Sequence, residues 1–271
     1  MFSLMLRSWS WQPGILLGLG LAAAAYAYAF YYCHRQGRLE RMFQQGIIKR
    51  GQPWYFAAGL VTLFIALISP VDTLASILFL MHMTQHILLI MVAAPLILLG
   101  LPAPFLAPLI QNARVKAGLA WLTQPVIAFT LYNATLLIWH LPDLYDAALR
   151  YEIIHSLEHA LFFGTALLSW WPLLSPLPEL PRLSYPAQIL YIFLMAIPAG
   201  ILGAVLVFSG EAFYPTYIAA PRLGDFSALA DQQAGGLVMM VPGKAIYLVA
   251  LTIIFFIWFN QEEPVGGEQL L

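Results

Sequence analysis

The chain has one cysteine, Cys33, in 271 residues, so an internal disulfide and any paired-cysteine metal site are excluded. Charge is scarce too: 9% of residues are Asp, Glu, Lys or Arg, where soluble domains carry roughly a quarter. Long linkers, low-complexity tracts and internal repeats are missing, which leaves little sequence for a separate soluble domain. The motif of the soluble metallopeptidases is also lacking, because His82 is followed by Met83 and not by a glutamate. Five of the twelve basic residues cluster at 35–50, a loop suited to anionic lipid headgroups, and no nucleic-acid partner is expected.

What the chain does have is apolar sequence, with 61% hydrophobic residues. Apolar runs near 11–33, 54–70, 76–100, 122–140, 153–171, 187–208 and 236–260 predict seven transmembrane helices. The expected fold is all-α, a polytopic bundle forming one integral membrane domain over residues 1–271. Pro-rich pieces such as Leu101-Pro102-Ala103-Pro104 and Ser175-Pro176-Leu177-Pro178 read as turns between helices. The first run has no small-residue cleavage site with a soluble domain behind it, so it is expected to be retained as a span. Odd-numbered loops carry Arg35, Arg38, Arg41, Lys49, Arg50, Arg114, Lys116 and Arg182; the opposite side carries Arg7, Arg150 and Arg222. By the positive-inside rule the N-terminus is outside and the C-terminus cytoplasmic.

That topology brings five of the six histidines to one leaflet. His82 and His86 share a helix face at i,i+4, as do His155 and His159, and His140 closes the fourth span. Glu158 lies beside the second pair, where it can ligate or orient an imidazole. Asp72 precedes the third span and Asp231 the last. Ionisable groups at membrane depth mark sites or pathways, and imidazole is the commonest metal ligand. The plainer alternative is a set of interface histidines bonded to neighbouring helices.

Histidine with carboxylate suits zinc, copper, iron or nickel; Met239 and Met240 near the same zone tilt the choice toward copper. Methionine also packs well in any apolar helix. Haem held axially between the third and fifth helices is an alternative that implies electron transfer. Pro242-Gly243 suggests a break in the last helix, and Lys244 is expected to snorkel or to pair with an acid. No redox or hydrolytic constellation is evident, so an enzyme is not expected.

Several stretches together carry a resemblance. His82-Met83-Thr84-Gln85-His86 leading to Ala94-Pro95-Leu96, Trp139-His140-Leu141-Pro142 with Leu144-Tyr145, and His155-Ser156-Leu157-Glu158-His159 are three of them. Trp170-Trp171-Pro172 and Asp231-Gln232-Gln233-Ala234-Gly235-Gly236 are two more. In this order they resemble the multispan CtaG family of cytochrome c oxidase assembly factors, over about three quarters of the chain. The assembly factor of the same name with one anchor and a cysteine-bearing copper domain is a different protein.

The resemblance implies a multi-pass protein of the bacterial plasma membrane that assists copper delivery to a haem–copper oxidase subunit. A periplasmic copper donor is a further implied partner. The motif positions carried over are His82, His86, His140, His155, His159 and Asp231, with Asp72, Glu158, Met239, Met240 and Lys244 in support.

Overall fold

The computed structural model describes residues 7–222 and 224–262. Eight principal helices organise them: α1 Pro13–Arg35, α2 Gln52–Ile68, α3 Phe79–Gly100, α4 Pro125–Trp139, α5 Pro142–Arg150, α6 Glu152–Leu174, α7 Tyr185–Phe208 and α8 Ala228–Glu262. Shorter helices, among them Pro70–Ala75, Ala113–Leu122 and Pro215–Ala219, connect them. No strand occurs among the described residues. Proline stands in the first turn of α1, α2, α4, α5 and α7, where its missing N–H costs nothing and its fixed φ favours the helix.

All seven apolar runs of the sequence are helical, but not all are membrane-length. Four helices, α1, α3, α7 and α8, are long and apolar enough to cross a bilayer. A fifth span results if Ala113–Leu122 and α4, bent by 66° at their junction, are counted as one. Helix α2 has only 17 residues, and α6 opens with Glu152, His155, Glu158 and His159. By length and hydropathy the structure therefore supports four or five spans where the sequence predicts seven.

Helix α3 is wound in two ways. Its turn Leu88–Ala93 is π-helical, and Pro95 follows at once. Proline cannot donate to the carbonyl four residues earlier, and a wider turn relieves the clash with it. Contrary to the break expected at Pro242-Gly243, α8 runs unbroken for 35 residues.

Helix α8 lies along α7 and crosses the start of α3. Glycine makes both contacts close. A Cβ on Gly236 would lie 2.9 Å from the Gly203 carbonyl oxygen, and a side chain at Gly235 would run into the Phe79 ring. Phe79 in turn stacks on Tyr214, with ring centroids 5.1 Å apart. This packing brings the N-terminal turns of α8 against the first residues of α3, where the histidines begin.

Candidate metal centre

Helix α3 presents His82 and His86 one turn apart, both buried. Their Nε2 atoms are 2.9 Å from each other. The other nitrogen of His82 is fixed by a buried tyrosine: Nδ1 lies 2.9 Å from the hydroxyl of Tyr217, on the short helix Pro215–Ala219. That hydroxyl donates its only proton to the Ala75 carbonyl at 2.6 Å. It therefore accepts from His82, which assigns the proton to Nδ1 and leaves a bare lone pair on Nε2. Across that contact His86 donates through its own Nε2; ligation through the same atom would move the proton to its unpartnered Nδ1.

The same orientation logic holds at His140. Its Nδ1 is 2.7 Å from the Leu136 carbonyl oxygen, which can only accept, so Nε2 is again the free nitrogen. Helix α6 adds His155, Glu158 and His159. The Glu158 carboxylate is fully buried, 3.8 Å from His82 Nε2 and 3.7 Å from His86 Nε2. Ring centroids of neighbouring imidazoles are 5.3 Å apart for His82 and His155, 5.6 Å for His86 and His159, and 6.4 Å for His86 and His140.

Two overlapping groups have ligand atoms within 4.8 Å of one another: His82, His86 and Glu158, and His82, His155 and His159. Donor atoms of one tetrahedral ion with bonds of about 2.1 Å lie about 3.4 Å apart, so separations of 2.9 to 3.8 Å bracket the requirement. Six buried ligand atoms have no hydrogen-bond partner among the described residues: both oxygens of Glu158, Nε2 of His140, His155 and His159, and Nδ1 of His86. Buried polar atoms are almost always paired. A carboxylate in such a place needs a proton or a cation beside it. The donor set fits a metal ion. It suits haem poorly, since the pockets beside the rings, of about 220 Å³ and about 40 Å³, are smaller than the several hundred Å³ typical of cofactor sites.

The remaining sequence candidates lie around this centre. Asp72 accepts from Gln85 Nε2 at 2.8 Å and lines the larger pocket with His155 and His159. Met239 lines the smaller one with Met83, His86 and His140, whereas Met240 packs on Gly203.

Asp231, expected as a ligand, is a helix cap. Its two oxygens accept from the backbone N–H groups of Phe79 and Leu80 at 2.8 and 2.9 Å, which satisfies free donors at the start of α3. Lys244 has no acidic partner among the described residues and rests against Gly200 instead. Two residues escaped the sequence reading: Tyr217, which orients His82, and Tyr145, whose buried ring is 5.1 Å from that of His82. Tyrosines in short connecting helices resemble ordinary interface aromatics, and only Tyr145 stood in a motif.

Comparison with known proteins adds a family. The profile described as cytochrome c oxidase caa3 assembly factor (Caa3_CtaG) matches residues 24–261. An uncharacterised protein of Mycobacterium bovis is 24% identical over 243 residues, covering 82% of this chain and 37% of that protein. An uncharacterised protein of Mycobacterium tuberculosis matches to the same extent. One of Mycobacterium leprae is 23% identical over 224 residues, covering 77% of this chain and 34% of that protein. The matched region thus spans little more than a third of these relatives' length. No solved structure matches.

Proposed function

This chain belongs to the cytochrome c oxidase caa3 assembly factor family, and from that premise we propose that it captures copper at the histidine cluster and hands it to a haem–copper oxidase subunit. The observation that carries the proposal is the set of six buried, unpartnered ligand atoms contributed by α3, α6 and the end of α4. His82, His86 and Glu158 would hold the ion, with His155, His159 and His140 close enough to exchange into its shell. Imidazole accepts both oxidation states of copper, and Met83 and Met239 beside His86 add a thioether surface that favours Cu(I).

In this reading the chain's own residues do three things. Tyr217 and the Leu136 carbonyl set the tautomers of His82 and His140, so that lone pairs face inward. Glu158 supplies the counter-charge that lets a cation leave water. The surplus of imidazoles lets ligands exchange stepwise, so the ion is never free. No turnover is involved, and the protein acts as an assembly factor in the bacterial plasma membrane. On the orientation that the positive-inside rule assigns to the basic loops, the cluster would face a periplasmic copper donor.

The test is maturation of the oxidase in cells carrying His82→Ala or His155→Ala in place of the wild type. Normal amounts of the variant with an oxidase deficient in copper is the expected result. A fully metallated oxidase beside either variant contradicts the proposal.

A further inference from the structure

Lys244 stands alone. Residues 234–259 contain no other charged side chain, and Lys244 is exposed on the outer surface of α8, the surface that lipid covers. At 1.5 Å per residue it lies about 24 Å along the axis from Ala228 and about 27 Å from Glu262. Lysines near helix ends escape hydrocarbon by snorkelling. This one does not: its Cε and Nζ lie against Gly200 of α7, where an added Cβ would meet both at 2.8 Å. Gly200 is itself about 12 Å inside the Phe208 end of α7. The ammonium makes no hydrogen bond or ion pair with the described residues.

Around it is a groove of about 480 Å³ between α7 and α8, walled by Phe193, Ala196, Met240, Val241 and Leu248. A charge facing hydrocarbon is costly and is met by a partner or a pathway. We propose that this groove docks a membrane-spanning helix of a different protein, one that carries a carboxylate within its own apolar stretch.

A second copy of this chain does not qualify. Glu158, Asp231 and Asp146 are buried, and the other described carboxylates lie in connecting segments or at helix ends. A lipid headgroup stays at the interface, above this depth. The small residue Ala196 on the groove wall lets a helix come close. Lys244 also lines the small pocket that reaches His86 and His140, so a helix seated here adjoins the side wall of the metal centre. The docking surface stands on the lysine and the groove; only the identity of the partner as an oxidase subunit rests on the proposed function.

The experiment places a photo-crosslinking amino acid at Phe193 or Leu248 of the full chain, in membranes that also contain the oxidase. The expected product joins this chain to a spanning oxidase subunit. It persists with Lys244→Arg, falls at least tenfold with Lys244→Glu and with Lys244→Met, and returns when the subunit's in-span acid is exchanged for lysine in the Lys244→Glu background. A crosslink of equal yield in all variants overturns the proposal, as does a crosslink found only between copies of this chain.

Lys244→Met keeps the size and apolar stem, so it reports on charge even if Lys244→Glu does not fold. Copper content of the same membranes' purified protein separates the two claims. Charge-dependent crosslinking without bound copper contradicts the copper reading alone; bound copper with charge-independent crosslinking contradicts the docking alone.

Discussion

At the scale of single residues, each inward-facing imidazole needs a partner that fixes its other nitrogen, and Tyr217 does this for His82. Tyr217→Phe removes the acceptor while keeping the ring. Copper affinity should fall about 10- to 100-fold, the usual effect of losing a partner that orients a ligand, as read by competition with a chromophoric chelator. Unchanged affinity would show that the hydroxyl does not set the tautomer.

Asp231→Ala separates a cap from a ligand. Removing two acceptors from the start of α3 should destabilise the fold by about 1–3 kcal/mol, seen as a lower melting temperature, with copper stoichiometry intact. Loss of copper from folded Asp231→Ala protein would return it to the ligand set. The i,i+4 histidine pairs were legible because helical spacing fixes which residues share a face. The role of Asp231 was not, since a carboxylate aimed at backbone N–H groups 152 residues away looks the same in sequence as one aimed at a metal.

At the scale of elements, the centre depends on how closely α8 approaches α3 and α7. Gly235 and Gly236 permit that approach, and an added side chain must push the helices apart. Gly235→Val should cost about 1–3 kcal/mol by overpacking and displace Asp231 from Phe79. A melting temperature equal to that of wild type would contradict this packing. Helix positions were readable from apolar runs, with ends shifted by up to three residues except at α8, which begins at Ala228 where the run was placed from 236. The continuity of α8 was not: proline and glycine in succession signal a break, yet the contact with α7 on both sides of Pro242 holds the helix through it. The π turn of α3 was also hidden, because Pro95 predicts a disturbance but not its form.

At the scale of the whole molecule, the buried donors sit at the junction of α3, α4 and α6, and the positive-inside rule predicts that this junction faces outward. The orientation can be checked with single cysteines in a Cys33→Ser background. A cysteine at Asp143 should react with an impermeant maleimide from outside, and one at Glu179 only after the membrane is opened; the reverse pattern inverts the topology. The histidines' convergence was expected from a seven-span topology; the structure brings the rings together with four or five membrane-length helices. Glu158 as the carboxylate between His82 and His86 required the rotation of α6, which no helical pattern specifies.

The most direct test of the central claim is the copper content of detergent-purified protein, wild type against His82→Ala and Glu158→Gln, each checked for a monodisperse fold. Near-stoichiometric copper in the wild type, lost from both folded variants, is the predicted result. Copper retained by both variants, or none bound by the wild type after exposure to the ion, would contradict the account.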